Sequence, residues 1–223
     1  MKFLRRASSL FVLLLLLMVT ARAQQPDTSA NPWENEIRQF EKADSLRPPP
    51  KGAILFVGSS SIRMWETLAE DFPGLQVINR GFGGSELSDA VHFADRIILP
   101  YKPKKVIVYA GDNDLANGKT PEQILADYKQ LVQLIHRNLP GTWIGYISIK
   151  PSLARWNLVE KIRKTNSLIR EYASRDRPLS YIDVFTPMLD KQGTPRKELF
   201  APDGLHLNRE GYRLWKERVR PAL

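Results

Sequence analysis

The amino-acid sequence predicts a three-layered α/β/α fold on a five-stranded parallel sheet, and two patterns predict it. Five short runs rich in branched or aromatic residues recur along the chain, at residues 53–57, 75–78, 105–110, 143–149 and 179–184. Between them lie longer segments whose apolar residues return at helical spacing, at residues 60–72, 86–99, 121–139 and 157–175. Strand alternating with helix is the signature of parallel strands joined by crossover helices that cover both faces of the sheet. The 223 residues suit one such domain and are too few for two well-packed ones.

The elements outside this alternation can be taken in order. Lys2, Arg5 and Arg6 precede an apolar run from Leu10 to Val19, and Ala21-Arg22-Ala23 follows it. Basic start, apolar centre and small residues two apart make residues 1–23 a cleavable export signal, with cleavage expected before Gln24. An apolar run of about 10 residues is half of what a membrane-spanning helix needs, so no stable membrane insertion is expected after cleavage. The protein is therefore expected in the periplasm or outside the cell. Residues 24–50 read as an N-terminal extension. Within it Trp33, Ile37 and Phe40 recur at helical spacing, and Arg47-Pro48-Pro49-Pro50 ends the short helix they predict. Residues 51–223 read as the domain itself. A last helix is expected from about 208 to 219, capped by Asn208, with Leu214, Trp215 and Val219 turned to the sheet.

Composition removes several function classes. Four of the 33 Lys and Arg residues lie in the presumed signal, which leaves 29 against 24 acids, a mild excess without a dense basic block. That is too weak a footprint for nucleic-acid binding. The chain has no cysteine, so neither disulfides nor thiol-linked lipid can hold it.

Parallel sheets place functional loops at the carboxyl ends of their strands. Polar clusters follow the first three predicted strands, and a fourth precedes the last helix. The first is Gly58-Ser59-Ser60-Ser61-Ile62, where a serine at the mouth of a helix has an exposed hydroxyl and neighbouring backbone N–H groups; a plain serine-rich cap reads the same way. The second is Gly81-Phe82-Gly83-Gly84-Ser85, whose glycines permit close approach of backbone to a ligand. Its spacing fits neither the dinucleotide fingerprint nor a phosphate loop. In the third, Gly111-Asp112-Asn113-Asp114, an asparagine amide can donate to a carbonyl oxygen as it gains charge. The two flanking acids also suit a metal, but no paired histidine accompanies them. The fourth is Asp203-Gly204-Leu205-His206, which can supply a general base and the carboxylate that orients it.

In this order the four clusters resemble the blocks of the SGNH (GDSL-type) esterase/lipase family, over nearly all of the chain after the signal. The resemblance implies a flavodoxin-like SGNH hydrolase fold and a serine carboxylic-ester hydrolase that needs no metal or organic cofactor. Residue by residue it implies Ser60 as nucleophile and Asp203 and His206 as its triad partners. The backbone of Ser60, Gly84 (or Gly83 in the neighbouring register) and the side chain of Asn113 are implied as oxyanion donors. The family's usual aspartate before the nucleophile is Ser59 here, and Gly58-Ser59-Ser60-Ser61-Ile62-Arg63-x-Trp65 looks like a smaller branch of the family. The expected substrate is a short acyl, acetyl-type ester or an acylated sugar. Relatives that transfer acetyl groups to or from envelope polysaccharide, and a non-catalytic carbohydrate-binding protein on the same scaffold, remain open readings. Arg63 and Trp65 after the nucleophile, and Arg155 and Trp156 after the fourth strand, are the expected substrate-binding residues.

Overall fold

Five strands, β1 (Ile54–Gly58), β2 (Val77–Gly81), β3 (Lys105–Tyr109), β4 (Trp143–Ile147) and β5 (Leu179–Ile182), pair in parallel in the order β2-β1-β3-β4-β5. The computed structural model describes residues 31–175 and 178–223. The presumed export signal at residues 1–23 lies outside them.

Nine helices are formed by the described residues: α1 (Glu34–Leu46), α2 (Ser60–Arg63), α3 (Leu68–Asp71), α4 (Leu87–His92), α5 (Ala94–Ile97), α6 (Asp112–Ala116), α7 (Pro121–Asn138), α8 (Val159–Arg175) and α9 (Arg209–Val219). The central strands β1, β3 and β4 are buried on both faces, and their residues alternate between two cores. Leu55 and Val57 of β1 and Val106 and Val108 of β3 belong to one core, with residues of α1, α4, α5, α7 and α8. Ile54, Phe56, Ile107 and Tyr109 point the opposite way, into a core closed by α2, α3 and α9. Three layers follow directly from that alternation.

Capping marks the long helices. Thr120 accepts from the Gln123 N–H while the Gln123 side chain returns to the Thr120 N–H, and Pro121 takes the first helical position, where it loses no hydrogen bond. Asn208 caps α9 as expected, its Oδ1 accepting from the N–H groups of Glu210 and Gly211. Trp215 and Val219 are fully buried against the sheet.

Three expectations need correction. Residues 60–72 are not one helix: the chain tightens after Arg63, with Trp65 N–H donating to the Ile62 carbonyl, and resumes at Leu68. The cause is tertiary, because this bend seats the Trp65 indole among Phe56, Phe72, Tyr212 and Trp215. Residues 86–99 also divide, at Phe93, whose buried ring meets Phe82 edge-on. The helix over 34–46 is no separate extension. Ile37 is fully buried in the first core, Arg96 reaches both Glu34 and Glu41, and Pro32 to Leu223 form one compact unit. Residues 32–50 thus belong to the domain expected to start at 51.

The strand order reverses between β1 and β3, the place where such sheets open a crevice at their carboxyl edge. Gly58 lies in register with Gly81 on one side and Tyr109 on the other, so the first three polar clusters leave the sheet side by side.

Candidate active site

Gly58 shows why the first loop turns as it does. Its φ is +138°, and a Cβ there would fall 1.8 Å from the Tyr109 carbonyl oxygen, so only glycine lets the chain leave β1 here. The Ser59 N–H then donates to that same carbonyl at 3.0 Å, and the next residue opens α2. Of the three consecutive serines, Ser59 and Ser61 are buried and their hydroxyls make no hydrogen bond among the described residues. Ser60 is half-buried, and its Oγ lies 3.0 Å from His206 Nε2. Of the three serines, Ser60 is the one whose hydroxyl meets the imidazole among the described residues.

His206 is oriented from its other side. Its Nδ1 lies 2.6 Å from Asp203 Oδ2, and a carboxylate there requires Nδ1 to carry the proton, which leaves Nε2 as an acceptor facing the Ser60 hydroxyl. Asp203 is fixed by its own turn, Oδ1 accepting from the N–H groups of Leu205 and His206 at 2.9 Å each. The hydrogen bond from His206, reinforced by those backbone donors, holds the Asp203 carboxyl down at about 2. The carboxylate is therefore charged throughout the neutral range. Ser60 and His206 are brought together across nearly the whole domain.

The glycine loop after β2 is positioned from α1. Trp33 Nε1 donates to the Gly83 carbonyl at 2.6 Å, and Glu36 Oε2 accepts from the Gly83 N–H at 3.4 Å. That N–H is thus engaged, whereas the Gly84 N–H makes no hydrogen bond among the described residues. Gly84 adopts φ +78°, a left-handed turn that favours glycine. The geometry favours the Gly84 register over Gly83. Ser60, as the first residue of α2, likewise has a backbone N–H with no acceptor within its helix. Since α2 is a single turn, this donor counts for more than any helix dipole.

Asn113 sits 9% exposed in the first turn of α6. Its Nδ2 donates to the Ser85 carbonyl at 3.0 Å, tying the third loop to the second. Arg155 Nη2 donates to its Oδ1 at 2.9 Å. The flanking acids face cations. Asp112 Oδ2 lies 3.0 Å from Lys150 Nζ and 3.2 Å from Arg155 Nη1. Burial pushes the Asp112 carboxyl up, but Lys150 and Arg155 together pull it below the ordinary range. Asp114 accepts from the Leu87 N–H at 3.1 Å and lies 3.5 Å from Lys119; its burial dominates and lifts its carboxyl to about 6. No group of three or more His, Asp or Glu side chains suited to a metal occurs among the described residues.

The expected substrate-binding residues divide. Trp65 is 1% exposed, its Nε1 donating to Asp71 at 2.8 Å, so it supports the core and cannot touch a substrate. Arg63 is exposed and lies beside the glycine loop, its Nε 3.8 Å from Glu36. Trp156 is half-buried at the start of a short 3₁₀ turn. Arg155 is turned inward to Asp112 and Asn113. Lys150, Trp33 and Glu36 have site contacts that sequence reasoning missed. Lys150 follows the fourth strand, and its buried partner Asp112 is 38 residues away.

Several solved structures share this fold. A protein from Bacteroides fragilis assigned to the acylhydrolases shares the fold at 20% identity and a TM-score of 0.74, over 86% of this chain and 97% of its own. A GDSL-like lipase from Bacteroides thetaiotaomicron is 19% identical with a TM-score of 0.73, covering 83% of this chain and 96% of its own. An acetylxylan esterase from Geobacillus stearothermophilus, solved as a catalytic serine-to-alanine variant, is 13% identical with a TM-score of 0.62, over 77% and 94%. No curated protein sequence matches the chain. The model of the GDSL-like lipase/acylhydrolase family matches residues 57–214, most of the chain and every strand-end loop described above, and the chain belongs to that family of serine ester hydrolases.

Proposed function

We propose that this protein hydrolyses short-chain acyl esters through an acyl-enzyme on Ser60, and that the chain is exported before it acts. The observation that carries the reading is the relay Asp203–His206–Ser60, with contacts of 2.6 Å and 3.0 Å. His206 Nε2 takes the Ser60 proton as Oγ attacks the ester carbonyl, and Asp203 stabilises the imidazolium. The N–H groups of Ser60 and Gly84 and the amide of Asn113 receive the oxyanion. His206 then returns the proton to the departing alcohol, and water clears the acyl group by the same path.

The short acyl preference is supported by the brevity of the loops after β1, β2 and β3, each of which enters a helix within a few residues and leaves little chain to cover a long alkyl tail. Acetylated sugars are the first substrates to try, since one neighbour in fold is an acetylxylan esterase. Export is supported by the basic, apolar and Ala-x-Ala sequence of residues 1–23. N-terminal sequencing of protein recovered from a secreting host should begin at Gln24.

Ser60→Ala should abolish turnover of a chromogenic acetyl ester and labelling by a fluorophosphonate while leaving the melt nearly unchanged. Activity retained by that variant overturns the mechanism. Rates should fall from acetyl through butyryl to octanoyl esters; the reverse order overturns the chain-length reading.

A further inference from the structure

We propose that Arg155 is a positioning residue for the oxyanion hole, locking the Asn113 side chain so that one of its N–H bonds is aimed at the reacting carbonyl. The inference rests on the Ser60 reading above and names a part that reading does not use. A guanidinium has donors and no acceptor, so the Asn113 amide atom 2.9 Å from Arg155 Nη2 must be the oxygen. The amide nitrogen then lies on the other side, where it gives one hydrogen to the Ser85 carbonyl at 3.0 Å. With the oxygen and one N–H both held, the amide plane cannot rotate, and the second N–H has a single direction. A rotated amide would set its NH2 against the guanidinium and its oxygen against the Ser85 carbonyl, two repulsions at once.

Arg155 is itself held. Its Nη1 lies 3.2 Å from Asp112 Oδ2, which also meets Lys150 Nζ at 3.0 Å, and Lys150 donates to the Tyr109 hydroxyl at 3.0 Å. Lys150 is 2% exposed and Asp112 5%, so these are not solvated surface charges. One carboxylate between two cations leaves a net positive charge beside Asn113. A charge-assisted bond to the amide oxygen draws electron density from the nitrogen and strengthens its remaining N–H as a donor. Low solvent access makes that field count most when negative charge develops on the carbonyl oxygen. A residue that only pinned the loop would need the Asp112 contact alone. The bond to Asn113 places Arg155 behind the donor.

The test uses the full chain with an acetyl ester and a fluorophosphonate, comparing Arg155→Met and Arg155→Lys in both wild-type and Asn113→Ala backgrounds. Removing an oxyanion donor outright costs about 10²–10³ in kcat. Releasing that donor through Arg155→Met should therefore lower kcat by about 10–100-fold, with KM within about twofold and phosphonylation slowed in parallel. Arg155→Lys should recover part of the loss, since an ammonium keeps the charge but lacks the fork that spans Asp112 and Asn113. In the Asn113→Ala background the Arg155→Met effect should shrink below about threefold, because the group it orients is gone. Unchanged kcat, a rise in KM alone, or an undiminished loss in the Asn113→Ala background overturns the proposal. If Arg155→Met does not fold, Arg155→Lys is judged by the same background comparison. A wild type inert to both probes removes the Ser60 reading and this one with it; an active wild type matched by its Arg155 variants removes this one alone.

Discussion

Asp203 and His206 lie near the surface, with 49% and 25% of their side chains exposed, whereas Asn113 and both aspartates beside it are buried. The first pair is held by bonds within one turn of chain. Asn113 is held by partners 28 and 42 residues away. The difference follows the chemistry each side performs. A proton-carrying imidazole must exchange with an incoming alcohol or water, so a local turn near solvent serves it. A donor that stabilises developing charge works best where water is excluded and its direction is set in advance.

Damage to the two halves should therefore look different. The largest effect is expected from His206→Ala, with kcat down by about 10⁴-fold or more and the melting temperature moved by less than about 2 °C. Ester kinetics with a thermal melt check both. Asn113→Ala should lower kcat by about 10²–10³. It should also lower Tm by about 4–20 °C, because the Ser85 carbonyl and the Arg155 guanidinium each lose a buried partner at about 1–3 kcal/mol per group. A melt as flat as that of His206→Ala would mean that the buried half is not braced as described.

The smallest effect sharpens the contrast within the buried half, where Asp112 and Asp114 flank the same asparagine. Two cations keep Asp112 ionised, while burial raises Asp114 to about 6 with Lys119 offsetting only part. Unfolded, Asp114 titrates near 3.8. The folded state therefore holds its proton more tightly, and the stability this provides is full below about pH 4 and lost as pH rises through 6. A shift of this size corresponds to about 3 kcal/mol. Denaturant titrations at pH 4.5 and 7.5 should show wild type losing stability relative to Asp114→Asn over that interval. Equal slopes for the two proteins would place the proton elsewhere.

What could be read from the sequence followed from locality. The central strands β1, β3 and β4 are short apolar runs buried on both faces, so composition alone marked them. Ser60, Asn113 and the Asp203–His206 pair sit where strands end or the last helix begins, and the turn that carries Asp203 and His206 is its own scaffold. Trp65 resisted the same treatment. Helical spacing put it on an active-site turn, but the pull of Phe56, Phe72 and Trp215 bent the chain and buried the ring. The inward contacts of Arg155 were not legible, since nothing near it in sequence reveals a carboxylate and an amide more than 40 residues upstream. The buried Lys150 was invisible for the same reason. The division of residues 86–99 likewise depends on Phe82, which belongs to a different loop.

The contacts of Trp33 and Glu36 with Gly83 have a practical consequence. The prolines at 48–50 invite use as a seam for trimming the protein or fusing it to another, and the family match starts only at residue 57. A cut there would strip both partners from the Gly83 peptide and uncover the socket that Ile37 fills. Tags, fusions and chimaeras should join upstream of Pro32, so that the first helix travels with the catalytic body.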